Sequence, residues 1–269
     1  MARFTVLLVG CGKMGKALVE GWLAQGFKPD DLTIAEPNQA GVPDNLRGRL
    51  VATAASLPPG FKADLVLLAV KPQSMDEVLP GLRRFADGGA TFLSIAAGKT
   101  IAAMRRGLGE KALVVRSMPN TPAAVGRGIT VAVAAPAVSA QARQQCGQLL
   151  QVVGEVLWVE DEALLDPVTA VSGSGPAYVF LLVEALAQAG VKSGLPADMA
   201  MALARATVSG SGELLRQSTE PAGQLRQNVT SPGGTTFAAL QVLMAQDGLQ
   251  PLMDKAIAAA TKRSRELAG

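Results

Sequence analysis

Histidine is absent from this 269-residue chain, which also has only two cysteines, one tyrosine and 4% aromatic residues. Without imidazole, histidine acid–base catalysis is excluded. With Cys11 and Cys146 standing far apart, the usual zinc ligand sets are missing too, so no metal site is expected. Two cysteines make no disulfide framework, and the chain runs into an apolar strand with no leader-like segment before it, so a reducing, cytoplasmic setting is expected. Lys and Arg are not gathered on one helix face or interleaved with aromatics, and 25 basic against 22 acidic residues leave a net charge of only +3, so no nucleic-acid partner is expected. Long apolar runs are lacking as well. The stretch from Ala177 to Val183 is cut by Glu184, short of the roughly 20 residues that cross a bilayer, so no membrane span is expected.

What the chain does have is 49% hydrophobic content carried mainly by Ala, Val and Leu, together with 29 glycines, enough for a large core of close-packed helices and strands buried on both faces. Short apolar runs predict strands over Phe4–Val9, Leu32–Ala35, Leu65–Val70, Thr91–Ile95, Leu113–Ser117, Ile129–Ala134 and Glu155–Trp158. Helical stretches at Met14–Gln25, Gln73–Arg84, Ile101–Arg106 and Ser139–Val152 fill the crossovers, the pattern of a doubly wound parallel sheet. After Glu160 the periodicity is helical throughout, with segments near Leu164–Val171, Ala177–Ala189, Ala197–Leu215, Phe237–Met244 and Leu249–Leu267. The expected division is an α/β domain over 1–161 and an all-helical domain over 162–269. With a mean hydropathy of +0.27, the helical part carries more apolar surface than a bundle of its size hides, so self-association is expected.

Between the first strand and the first helix lies Gly10-Cys11-Gly12-Lys13-Met14-Gly15, a G-x-G-x-x-G turn in the context that dinucleotide binding requires. Gly10 permits the tight turn, Gly12 lets the backbone approach a pyrophosphate, and Gly15 lets the helix pack close to the strand, with phosphate at the helix N-terminus. About 20 residues further on, at the end of the second strand, Glu36 stands where an acid accepts the adenosine ribose hydroxyls. Glu36 would repel a 2′-phosphate and favours NADH, whereas Arg47 and Arg49 downstream could supply a phosphate contact for NADPH.

Further segments fall at strand ends, where ligands bind open α/β sheets: Ala69-Val70-Lys71-Pro72-Gln73, Ser94 to Lys99 with Ala96 and Ala97, and Arg116 to Pro122. Small residues there let a flat ring lie against the backbone. In the helical part, Val171 to Tyr178 and Thr230-Ser231-Pro232-Gly233-Gly234-Thr235-Thr236 each open a helix. The second is the better anion nest, because Pro and paired Gly leave its amides accessible.

Together these segments resemble pyrroline-5-carboxylate reductase along essentially the whole chain. The most specific stretch is Gln224-Leu225-Arg226-Gln227-Asn228-Val229-Thr230-Ser231-Pro232-Gly233-Gly234-Thr235-Thr236, which is similar to that family's signature, and Ala69 to Gln73, Asn120-Thr121-Pro122 and Ser172 to Tyr178 match in order and spacing. The resemblance implies a Rossmann-type domain followed by a helical domain that builds homodimers and can assemble into decamers. It implies reduction of 1-pyrroline-5-carboxylate to proline, the last step of proline synthesis, with NADPH or NADH. It implies further that Ser231, Pro232, Gly233, Gly234 and Thr235 hold the substrate carboxylate, and that Thr236 is the catalytic contact to the ring nitrogen. Nicotinamide and its ribose would lie against Ala69, Val70, Lys71, Pro72, Ala96 and Ala97, with Asn120 also at the cofactor. Ser56 stands where the family often carries Asn near the adenosine, and Glu36 departs from the small or basic residues of strongly NADPH-selective members, so the cofactor preference is not inherited.

The residue chemistry agrees with an imine rather than a ketone as acceptor. Hydride transfer to a ketone develops an alkoxide that needs a placed proton donor, whereas addition to a protonated imine gives a neutral amine and asks mainly for positioning. Lys71, Lys99 and Tyr178 remain as donors for a carbonyl. Two other readings are a dehydrogenase of the 3-hydroxyacid type, using Lys192 or Lys255 in the helical part, and a non-enzymatic NAD(P)H-sensing oligomer.

Overall fold

The computed structural model describes residues 4–38, 42 and 49–268. Its first compact unit comprises residues 1–173 with 260–269, its second residues 174–259.

In the first unit, β1 (Val6–Val9) leads through the glycine turn into α1 (Lys13–Ala24), followed by β2 (Leu32–Ala35), the two-residue β3 (Leu50–Val51) and β4 (Leu65–Leu68). The stretch expected to be one helix over 73–84 is instead a chain of short turns. It contains α2 (Met75–Val78), a 3-10 turn over Leu79–Leu82 and α3 (Arg83–Asp87). Pro80 and Gly81 explain the break, since proline removes a helical donor and glycine costs helix entropy. Then follow β5 (Thr91–Ser94), α4 (Ile101–Leu108), β6 (Leu113–Met118), β7 (Gly128–Ala134), α5 (Ala140–Gln151) and β8 (Gly154–Val159).

The eight strands form one sheet in the order β3-β2-β1-β4-β5-β6-β7-β8. All neighbours run parallel except β6 and β7, which pair antiparallel with Ser117 opposite Ala132. The wholly parallel expectation fails there because residues 119–127 hold only a 3-10 turn over Thr121–Val125. A parallel return needs about a dozen residues or more and usually a helix.

Every residue of β1, β2, β4 and β5 is buried, as strands covered on both faces must be. Alternate side chains feed two cores. Val6 and Leu8 join Trp22, Leu149 and Leu150 on one face, while Leu7 and Val9 join Phe92, Met75 and Met104 on the other. Trp22 is fully buried and its Nε1 donates to the Leu149 carbonyl at 2.8 Å, so no polar group is stranded. Burying an indole is worth roughly 4–6 kcal/mol at about 25 cal/mol/Å².

Past β8, a 3-10 turn (Glu162–Leu164), α6 (Leu165–Val168) and a π-helical turn (Thr169–Gly173) pack on the same unit, with Leu165 buried against Val131 and Val133. Two contacts hold this entry in place. Arg116 Nη1 donates to Glu162 Oε1 at 2.9 Å, and the Ile101 amide donates to the same oxygen at 2.8 Å.

The second unit contains α7 (Gly175–Lys192), α8 (Ala197–Gln217), α9 (Ala222–Asn228), α10 (Thr235–Leu243) and most of α11 (Leu249–Ala268), whose last turns belong to the first unit. The helix α9 was not expected from periodicity. At seven residues it is too short to show a clear apolar stripe. Small residues bring α7 and α8 together: a Cβ on Gly190 would lie 3.2 Å from that of Ala200. Across residues 174–259 only Ala187, Ala200 and Ala204 are buried, while Phe180 and Leu181 of α7 are each 63% exposed and Val242 of α10 is 71% exposed. An apolar helical face of this kind calls for a cover, and among the described residues of this unit nothing covers it.

By length and composition alone the helical run 162–192 passes as long and apolar enough to cross a membrane, which the apolar stretch cut at Glu184 does not suggest, although the run is made of a 3-10 turn, α6, a π-helical turn and α7. Its start is nevertheless fastened to the sheet by Leu165 and Glu162.

Candidate active site

Since β1, β2, β4 and β5 run parallel, the chain leaves each of them at one edge of the sheet. Backbone bonds lace this edge together. The Gly10 amide donates to Ala35 O at 2.9 Å, Ala69 to Val9 O at 2.8 Å and Ile95 to Leu68 O at 3.1 Å. The segments starting at Gly10, Glu36, Ala69 and Ile95 therefore converge, as ligand sites of open sheets do.

The three glycines of the turn act differently. Gly10 has φ +88°, and a Cβ there would lie 2.8 Å from Ala69 O and 2.9 Å from Val70 Cγ1, so no other residue fits. On Gly15 a Cβ would meet Gly10 O at 3.0 Å, which lets α1 press against the turn. Gly12 is the N-cap of α1, and a Cβ there would meet nothing within 4 Å. The start of α1 has no side-chain cap and no acidic residue in its first turn, leaving its amides and dipole to an outside anion. Open space before bare amides fits a dinucleotide pyrophosphate. Lys13 is exposed at the first position of the helix, and Met14 is half-buried against the core.

Glu36 leaves β2 toward this turn. Its Oε2 accepts from the Cys11 amide at 2.7 Å and its Oε1 from the Asn38 amide at 2.8 Å, so the carboxylate is fixed beside the glycine turn while each oxygen keeps a further lone pair for a ribose hydroxyl. Burial, with the Glu36 charge adding to it, pushes the Cys11 thiol up to about 11. Burial pushes Cys146 to about 12. Both thiols should therefore stay protonated and silent toward a thiol reagent in the folded protein at pH 8, where a pKa of about 11 leaves roughly one part in 1,000 as thiolate. Rapid labelling of either without denaturant would contradict this environment.

Ala69, Val70 and Pro72 are half-buried and Lys71 is exposed, while Ala96 is buried and Ala97 half-buried just past β5. Ser56, exposed in the turn before β4, shares a 3.2 Å hydrogen bond with Thr53 Oγ1. Asn120 is largely buried two residues past β6. Its Nδ2 donates to Ser172 Oγ at 3.2 Å and its Oδ1 accepts from the Ile129 amide at 3.0 Å, so its side chain ties the loop to the start of β7 and to the π-helical turn. Arg49 pairs with Asp30 at 2.6 Å, and Arg47 lies outside the described residues. Lys99 is paired with Asp76 at 2.8 Å, and Lys192 and Lys255 are exposed.

The pairing of Arg116 with Glu162 has no signature in the sequence. No local spacing signals an ion pair between residues 46 positions apart, and only the junction of sheet and entry helix creates it.

In the second unit, residues 231–236 form a turn into α10. Gly233 has φ +71°, and the Gly234 amide donates back to Ser231 O at 3.0 Å. That bond engages the amide of Gly234, and Pro232 has none. Ser231, Gly233 and the uncapped first-turn amides of Thr235 and Thr236 are left as donors. Ser231, Pro232, Gly233 and Thr235 are exposed, and Gly234 and Thr236 are half-buried. Thr230 Oγ1 donates to Arg226 O at 2.6 Å, anchoring the turn to α9.

A sheet edge with a bare glycine turn and an acid after β2 defines a dinucleotide-binding oxidoreductase with an appended helical layer. Comparison with known proteins specifies it. Residues 162–267 match the family model described as pyrroline-5-carboxylate reductase dimerisation, and residues 5–98 match one described as NADP oxidoreductase, coenzyme F420-dependent. The chain is 40% identical to a pyrroline-5-carboxylate reductase of Pseudomonas aeruginosa, over 100% of this chain and 98% of that protein, and 34% identical to one of Glycine max, over 98% and 96%. A solved pyrroline-5-carboxylate reductase from Coxiella burnetii superposes with a TM-score of 0.91 at 32% identity over 99% of both chains. One from Plasmodium falciparum with NADP bound superposes at 0.83, with 28% identity over 100% of both. The chain belongs to the pyrroline-5-carboxylate reductase family.

Proposed function

We propose that this chain reduces the carbon–nitrogen double bond of 1-pyrroline-5-carboxylate to give proline, drawing on NADPH or NADH. The observation that carries the reading is the uncapped glycine nest over 231–236, the part of the chain that dinucleotide binding alone leaves unexplained. The bound dinucleotide supplies the hydride that the imine carbon receives. The amides of Ser231, Gly233 and Thr235 hold the substrate carboxylate, with Pro232 and Gly234 shaping the turn, and Thr236 Oγ1 accepts the N–H of the protonated ring nitrogen. Gly10 to Gly15 hold the pyrophosphate, Glu36 and Ser56 the adenosine side, and Ala69 to Pro72 with Ala96 and Ala97 the nicotinamide side. Asn120 positions the loop beside them.

The reaction is tested by following loss of reduced-nicotinamide absorbance with 1-pyrroline-5-carboxylate and each cofactor in turn. No turnover with either cofactor overturns the reading. Glu36 faces the ribose, so Glu36→Gln, which keeps the acceptor for the Cys11 amide but removes the charge, is expected to raise the ratio of kcat/KM with NADPH to that with NADH about tenfold, as loss of one nearby like charge does. An unchanged ratio would place the ribose elsewhere.

The chain self-associates through residues 162–267, the region matching the dimerisation model. We read the dinucleotide-binding domain as 1–161, the substrate-binding and dimerisation domain as 162–269, the assembly as homodimers gathered into decamers, and the setting as cytoplasmic. Two free, buried cysteines and the bare apolar faces of α7 and α10 support these readings. Light scattering at micromolar concentration should give no monomer mass.

A further inference from the structure

The last turns of α11, residues 260–268, belong to the first unit and lie against the loop that follows β5. A Cβ on Gly98 would stand 3.4 Å from Leu267 O. Between that loop and the helix is a cavity of about 260 Å³, whose lining includes Pro72, Ala97, Lys99, Thr169, Ser264 and Leu267. Pro72 and Ala97 are the residues assigned above to the nicotinamide side, so the slot continues that surface.

Polar contacts fasten this wall. Ser264 Oγ donates to Asp166 Oδ1 at 2.7 Å, with Ser264 only 6% exposed and the Asp166 side chain 14% exposed. Arg265, largely exposed, adds only a 3.9 Å contact to the same carboxylate. Lys99, which also lines the slot, has its Nζ 2.9 and 2.8 Å from the two Asp76 oxygens. Thr169 opens the π-helical turn over 169–173, a distortion that occurs often at functional sites, and it donates to Leu165 O at 2.7 Å. A slot with small apolar walls and a fixed polar rim fits a flat carboxamide-bearing ring. Among the described residues that line it the one cation, Lys99, is already paired with Asp76, which leaves no free positive charge for a phosphate.

We propose that Ser264 and Asp166 are positioning residues for the nicotinamide end of the cofactor: their hydrogen bond holds the end of α11, and with it Leu267, as the wall of that slot. The inference rests on the cofactor reading given under Proposed function. A buried hydroxyl bonded to a carboxylate fixes one arrangement of the helix end, and a wall that stays in place spares the ring the ordering cost of binding.

The test compares ligands that differ only in the ring: NADH against ADP-ribose, and NADPH against its 2′-phosphorylated ADP-ribose counterpart, titrated calorimetrically into the wild type, Ser264→Ala and Ser264→Thr. Ser264→Ala is expected to weaken both dinucleotides by roughly three- to tenfold, the effect of one lost hydrogen bond, while the ring-less ligands bind as to the wild type and Ser264→Thr restores the affinity. Unchanged dinucleotide binding, or an equal loss for dinucleotide and ring-less ligand, would overturn the assignment, since general loosening of the fold moves both alike. Should Ser264→Ala fail to fold, Leu267→Ala, at a position 59% exposed, shortens the same wall without touching the core and must show the same split between ligands. A wild type that binds none of the four ligands would overturn the cofactor reading itself, and this proposal with it.

Discussion

Replacing Thr236 by alanine is expected to lower kcat/KM for 1-pyrroline-5-carboxylate about ten- to hundredfold while leaving the dissociation constant for NADH or NADPH unchanged. The range is that of one hydrogen bond to a charged group, about 1.5–3 kcal/mol. Thr236 is the second residue of α10, half-buried behind the Gly233–Gly234 turn, and its hydroxyl caps nothing among the described residues. Alanine is the stronger helix former, so a kinetic loss cannot come from a weakened α10. Thr236→Ser, which keeps the hydroxyl, should recover most of the rate. A kcat/KM for Thr236→Ala equal to wild type would remove Thr236 from the site and leave positioning to the backbone amides alone.

The largest stability effect should follow from Glu162→Ala. Arg116 sits in the middle of the sheet with its side chain 5% exposed, and Glu162 is its partner while also receiving the Ile101 amide at the start of α4. Truncating Glu162 leaves a buried guanidinium and the first amide of α4 without an acceptor. A pair buried at both ends would lose about 3–5 kcal/mol. Glu162 is 30% exposed, so water offers partial relief, and about 2–4 kcal/mol is expected, or roughly 5–15 °C in Tm. Glu162→Gln keeps one acceptor and should lose less. Because this pair fixes the entry into the dimerisation region, the alanine variant is also expected to self-associate less tightly by light scattering. A melting temperature equal to wild type would show that Arg116 is satisfied without it.

Much of the first unit was legible in the chain. The strand Leu32–Ala35 falls on the expected residues, and β1, β4 and β5 differ from expectation by one or two residues at their ends. Strands buried on both faces are continuous apolar runs, and such runs stand out without any partner being known. The glycine turn was equally plain, because the G-x-G-x-x-G spacing between a strand and a helix is local in the chain, although the atoms that crowd a Cβ on Gly10 belong to Ala69 and Val70, brought there by β4. The parts that depart from expectation share a different character. The broken stretch over 75–87 keeps its helical periodicity while Pro80 and Gly81 divide it, and the antiparallel β7 has the apolar pattern of any other strand. Strand direction depends on the link before it, and the length of that link is the only local sign.

The glycines at 10, 12, 15 and 233 and the acid at 36 stand out in the chain by residue type and spacing, even though Glu36 meets the Cys11 amide across 25 positions and Gly10 is crowded by Ala69. Contacts between distant residues could be found only in the folded chain. Asn120 meets Ser172 across 52 positions, Arg116 meets Glu162 across 46, and Ser264 meets Asp166 across 98. A hydrogen bond is decided at about 3 Å in space, and separation along the sequence carries no trace of that distance until the sheet and the last helix bring the partners together.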